Sequence, residues 1–398
     1  MSRRHRTAVT GAMLVGAVLG GATLRAAPYR PAQDDVVLEV LMRPSGVARL
    51  PTRANGATSS ESAEDALQRR VRAFIELARA SGDPRELGRA EALLKAAPVV
   101  APMPTERLVL QATVDQALHR FDAALETLDA VLAREPLHAQ ALLTRATVLQ
   151  VQGKTGLAVR DCTMLARASR PLVATTCMAS VESLRGRGHQ AYVVLEFALR
   201  SAGSESPELL AWSWSVLAGI AERAGRADDA DAAYRAALSL APDDPYVLAA
   251  YADRLLDAGE PDVARALVAG RRANDNLFLR EVIALHRLND AGAAEAITAL
   301  AARYALAQQR GEALHLREQA RFELDVQGDA GRALELAIGN WKVQREPIDA
   351  RLLYEAAVAA DNASQAAEAL RWLEAAGIAP EYVHGRSSHD ARFARAST

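Results

Sequence analysis

Lysine is nearly missing from this sequence. It stands at three positions, Lys95, Lys154 and Lys342, so arginine supplies 44 of the 47 basic residues, a bias of base composition and not of chemistry. Aromatic residues make up 5% of the chain while hydrophobic residues make up 50%. The apolar mass is therefore Ala, Leu and Val, which suits closely packed helices and argues against strand-rich folds. Only two cysteines occur, Cys162 and Cys177. HExxH, CxxC, P-loop, GxGxxG and GxSxG motifs are all lacking, which removes the usual zinc, nucleotide and hydrolase readings. Eight histidines stand singly; His384 and His389 share a polar C-terminal stretch, where at most a weak surface metal contact could form. A net charge of −2 excludes both a disordered polyelectrolyte and a basic nucleic-acid binder. No cofactor is expected.

What is present divides the chain. Arg3, Arg4 and Arg6 precede an uncharged stretch, residues 8–24, which ends in Arg25-Ala26-Ala27-Pro28. These are the parts of a secretory signal peptide over residues 1–27, with cleavage expected within 22–27. An uncleaved anchor is the competing reading, but Gly11, Gly16, Gly20 and Gly21 make a poor membrane span. Removal takes four arginines and leaves a charge of −6, so a periplasmic or secreted protein with no nucleic-acid partner and no stable membrane insertion is expected. Residues 28–60, with Pro28, Pro31, Pro44, Pro51 and Asn55-Gly56, read as a flexible linker holding one apolar patch at 36–42. Residues 380–398 read as a polar tail.

Between them, helical periodicity runs almost unbroken and its breaks recur. Ala90, Ala124 and Ala158 are 34 residues apart; Ala191, Ala230 and Ala264 follow at 33, 39 and 34; Ala333 and Ala367 are again 34 apart, with an irregular unit around Ala294. In the clearest unit Trp214, Leu217 and Ala218 precede Gly225, Ala230, Tyr234, Ala237 and Pro242. This pattern resembles the tetratricopeptide repeat, with Ala218 where glycine is usual and Ala221 where tyrosine is usual. The resemblance covers residues 61–379. It implies an all-α fold, a right-handed superhelical α-solenoid of about eight to nine helix pairs, with the first helix of each pair lining the concave side. Residues 144–150 and 340–347 look similar to exported bacterial repeat proteins. Trp341 is expected as a core anchor, and Arg345 with Glu346 as a helix-end ion pair.

Cys162 falls on the second helix of one pair and Cys177 on the first helix of the next, faces that pack in this architecture. A disulfide suited to an oxidising compartment and a pair of buried thiols are both open readings. Gly186-Arg187-Gly188 falls at an inter-helix turn and is read as a turn, not a phosphate loop. Asp228, Asp229, Asp231, Asp243 and Asp244 are read as helix caps. In the register set by the alanines, the concave groove presents Thr113, Gln116, Leu143, Thr147, Gln150, Thr176, Ser180, Trp212, Ser215, Tyr246, Ala249 and Asp253. Val109, Leu143, Thr176, Ser215 and Ala249 stand where the family's carboxylate clamps would carry lysine, so capture of an acidic carboxyl terminus by that route is not expected. The expected function is a non-catalytic exported scaffold holding a protein or peptide partner in the groove. The alternative is a small-molecule or catalytic accessory component with a pocket near 274–309, where the period is broken.

Overall fold

A computed structural model describes residues 62–310 and 316–384. The expected signal peptide and linker, and His389, lie outside the described residues. All regular structure in them is helical, arranged as nine antiparallel pairs. The pairs are α1 (Ala63–Ser81) with α2 (Pro84–Ala96), α3 (Thr105–Ala117) with α4 (Phe121–Arg134), and α5 (Ala139–Val151) with α6 (Thr155–Ala168). Then come α7 (Pro171–Ser183) with α8 (Gly188–Arg200), α9 (Pro207–Arg223) with α10 (Ala227–Leu240), and α11 (Pro245–Asp257) with α12 (Pro261–Val268). The last three are α13 (Asp275–Arg287) with α14 (Ala293–Gln309), α15 (Leu316–Phe322) with α16 (Ala330–Trp341), and α17 (Pro347–Ala359) with α18 (Ala363–Ala375). A π-helical turn, Glu323–Gln327, extends α15.

Local chemistry starts and stops these helices. Proline occupies the first turn of α2, α7, α9, α11, α12 and α17, where its missing N–H costs nothing. Asp244 caps α11, its carboxylate accepting from the amides of Tyr246 and Val247. The turn inside each of the nine pairs holds one residue at positive φ: Gly82, His119, Gly153, Gly186, Gly225, Gly259, Asn289, Gly328 and Asp361. One left-handed residue reverses the chain after every first helix, and glycine meets that demand six times.

The alanine register accounts for packing. Ala90, Ala124, Ala158, Ala230, Ala264 and Ala333 are fully buried and Ala191 is nearly so. Each lets two helix backbones approach, while residues such as Leu128, Leu165 and Leu195 fill the grooves beside it. Two positions of the expected register are corrected. Ala294 and Ala367 are exposed, and the buried small residues of their helices are Ala296 and Ala369. The buried small residue thus lies two positions later than the expected one in each of these helices. Apolar burial forms a chain of clusters along the solenoid instead of one central core.

Three further expectations change. Tyr382 and Val383 are buried in the last cluster, and residues 380–384 are helical, so the polar tail does not begin at 380. His384 lies edge-on to Tyr354. Trp341 is buried against Trp372, but Arg345 lies over the Trp341 ring, and Glu346 pairs with Arg317 instead of Arg345.

Cys162 on α6 and Cys177 on α7 are joined as a disulfide, with Cα atoms 5.6 Å apart and a sequence separation of 15. Closing so short a loop is expected to add about 3 kcal/mol in the chain-entropy model. Urea unfolding with and without reductant measures it, and identical midpoints would show that the bridge contributes nothing. A second expectation concerns the helix crossing: Ala230→Leu should lower stability by about 1–3 kcal/mol through overpacking, read from the same urea midpoint.

Candidate partner-binding lumen

The first helices of the pairs carry most of the residues expected in the groove. Thr113 and Gln116 on α3 line a cleft of about 360 Å³, which also takes in Arg79, His119, Asn276, Arg317 and Gln344. Ser180 on α7 donates to the Gln150 side-chain oxygen on α5 at 2.9 Å, linking two neighbouring first helices. Thr147 is exposed, its hydroxyl bonded back to the Leu143 carbonyl, and Trp212 is half-buried. Tyr246 is 71% exposed. Its phenol is nevertheless pushed up, first by displacement of bulk water around it and then by the Glu346 carboxylate, with Arg223 and Arg317 acting the other way.

Other groove expectations are corrected. Asp253 is not available to a visitor: Arg280 grips both its oxygens at 2.9 and 2.7 Å, and Arg321 contacts it as well. Burial alone would raise this carboxyl, but the two guanidinium groups overcome it and hold it well below the usual carboxylate range. Thr176 is fully buried between the Leu172 carbonyl and the Ser213 hydroxyl. Ser215 is buried and bonds the Trp212 carbonyl. Nor is the irregular unit a solvent-facing insertion. Nine consecutive residues of α13, Leu277 to Leu285, are buried, and only Asn276 at its start reaches the cleft.

Sequence reasoning missed how the coil meets itself. The Asn274 side chain donates to the Ala80 carbonyl across 194 residues. The Arg345 amide donates to the Val151 carbonyl at 2.7 Å across the same interval. The Gly186 amide donates to the Ala376 carbonyl, and the Ala379 amide to the Arg223 carbonyl. Turns of early pairs therefore dock on loops that enter or leave pairs four to six places later. A buried charge network accompanies this closure. Arg351, 2% exposed, pairs with Asp257 at 2.6 Å and Glu355 at 2.9 Å, and lies over the Tyr382 ring. Arg321 bridges Asp253 and Asp325, and Arg317 bridges Glu346 and Asp349. Along the chain, Arg321 with Asp325 and Arg351 with Glu355 look like ordinary solvated pairs four residues apart. The usable signal was their position on the inward face of first helices.

Chemically the lumen offers amides, hydroxyls and fixed ion pairs. Among the described residues no group of three His, Cys, Asp or Glu side chains is placed to hold a metal, and both cysteines are bridged. Also among them, no helix is long and apolar enough to cross a membrane.

One carboxyl should respond to pH. Glu222 lines a cavity of about 120 Å³ with Arg254, Asp257, Arg351, Glu381 and Tyr382, and accepts from the Tyr234 hydroxyl at 2.8 Å. Burial, aided by Asp257 and opposed by Tyr234, Arg351 and Arg223, pushes it up to about 7. A raised carboxyl favours the neutral form in the folded state, so its contribution is complete below the ordinary value of 4.5 and is lost as pH rises through about 7. Urea midpoints should fall between pH 5.5 and about 7.5. Glu222→Gln should flatten that slope; a variant keeping the full slope refutes the assignment.

No family model and no curated protein matches this sequence. Solved structures do. A thermophilic tetratricopeptide-repeat protein from Thermus thermophilus is 25% identical, over 49% of this chain and 100% of its own, with a TM-score of 0.39. A tetratricopeptide-repeat protein from Parabacteroides merdae is 16% identical, covering 72% of this chain and 99% of its own, with a TM-score of 0.37. A Rap protein solved in complex with Competence and Sporulation Factor is 13% identical, covering 83% of this chain and 90% of its own, with a TM-score of 0.47. The nine stacked pairs, with a left-handed residue in every turn, carry the assignment themselves: the chain is an all-α helical-repeat solenoid similar to the tetratricopeptide-repeat proteins.

Proposed function

We propose that this chain is a non-catalytic scaffold, exported to the periplasm or beyond, which holds an extended segment of a protein partner in the cleft between its early and late pairs. The observation that carries the reading is the cleft itself. Thr113 and Gln116 from α3 face Asn276, Arg317 and Gln344, contributed some 160 to 230 residues later, around about 360 Å³ of space. Hydroxyl and amide groups such as those of Thr113, Gln116, Asn276 and Gln344 can pair with the main chain of an extended peptide. The bridged cysteines and the basic-apolar start of the sequence support export. A second reading, a small-molecule site, draws on the same cleft, because its volume suits a small ligand and Asn276 of the irregular unit lines it.

A photo-crosslinking residue at Gln116, compared with one at the exposed convex position Glu126, separates these readings in native cell envelopes. The scaffold reading expects a discrete protein adduct from position 116 alone. Identical adducts from both positions count against the cleft. No adduct at 116, together with stabilisation by a single metabolite in a thermal-shift screen, favours the small-molecule reading. Mass spectrometry of the envelope protein should find its first residue within 23–28, and an intact Met1 would overturn export by cleavage.

A further inference from the structure

The late end of the chain is rooted in one part of the solenoid and touches another. Ile378, Tyr382 and Val383 are buried in the apolar cluster built by α15 to α18. The pairs they lean across, α7 to α12, bury most of their apolar residues in a different cluster, and among the described residues no apolar cluster spans the join. What crosses it is mostly polar or bare backbone, the Ala379 methyl beside Gly225 and the Tyr382 ring, in a cavity shared with Gly225 and Ala227, being the apolar groups there. Two hydrogen bonds, from the Gly186 amide to the Ala376 carbonyl and from the Ala379 amide to the Arg223 carbonyl, sit at its ends. Gly186 and Gly377 meet backbone to backbone, and Arg351 reaches Asp257 from the neighbouring helix.

The energetics of such a join differ from those of the stacked pairs. Separating two stacked pairs exposes apolar surface at about 25 cal/mol per Å². Separating this seam exposes amides, carbonyls and a guanidinium–carboxylate pair, all of which water accepts, so the net cost is small. Segments held in this way belong to the low-stability end of a protein's opening reactions. The other coil-to-coil contacts, at Val151 with Arg345 and at Ala80 with Asn274, are of the same polar kind.

We infer that residues 376–384 form a releasable latch, which closes the superhelix on itself and opens without unfolding any helix pair.

Two glycine variants make a matched comparison. Gly186 and Gly377 both lie at positive φ, 75° and 71°, so alanine carries the same left-handed strain at each. A Cβ at position 377 would fall 2.7 Å from the Gly186 Cα, whereas a Cβ at position 186 meets nothing within 4 Å. Gly377→Ala should therefore increase the radius of gyration and maximum dimension in solution scattering with helical content unchanged, and Gly186→Ala should match the parent. Equal dimensions in both variants, or equal expansion in both, overturns the latch. Should Gly377→Ala fail to fold, hydrogen exchange of the unmodified protein decides. The Gly186 and Ala379 amides should exchange at least about 100-fold faster than the core amides of Leu217 and Ala218. Equal protection of seam and core overturns it. Neither measurement involves a partner, so a failed crosslink at Gln116 leaves this result standing, and the reverse also holds.

Discussion

Close approach of helix backbones at one alanine per pair is the constraint from which the rest follows. At Ala124, Ala158, Ala230 and Ala264 no side chain holds the two helices apart, so each crossing is set by the larger residues beside it. Repeating one crossing gives each pair a similar rotation relative to the last. A constant rotation makes a superhelix, and a superhelix wound tightly enough brings its own edges together. The contacts at Ala80 with Asn274 and Val151 with Arg345 both span 194 residues, and those at Gly186 with Ala376 and Arg223 with Ala379 close the coil further along.

That closure changes what the inner face can be. An open groove would present first-helix side chains to bulk water, and Asp253 or Thr176 would count as binding groups. Here the inner face is partly a core. Arg280, Arg321 and Arg351 are almost fully buried and each is answered by carboxylates from other helices. Such networks stabilise weakly in total but penalise mispairing severely, because a lone buried charge is costly. They tie neighbouring pairs together across the inner face, while Thr113 and Gln116 line the cleft. The elevated Glu222 and the polar seam lie together at the place where the late coil touches the early one.

Legibility was uneven along the chain, for physical reasons. The 34-residue spacing, the small residues and the turn glycines are local consequences of building one helix pair, so they are written in each pair. His119, Asn289 and Asp361 show the limit of reading glycine alone, since the same left-handed turn is made by residues of another type. The alanine register failed at Ala294 and Ala367, where the buried alanines are Ala296 and Ala369, two residues on in helices that hold several alanines each. Of the groove residues, Thr113 and Gln116 could be placed from register. Asp253 could not, because its partners stand 27 and 68 residues downstream on different helices.

By itself, then, the sequence determined that this chain makes helices, pairs them, and stacks the pairs with small residues inward, because those outcomes depend on periodicities shorter than one repeat. Whether the stack stays open or closes, which arginines are surface and which are buried, and that Gly186 must meet Gly377, were decided only in three dimensions. A few degrees of rotation per pair, accumulated over four to six pairs, separate a gap from a contact, and no local pattern of residues encodes a sum of that kind.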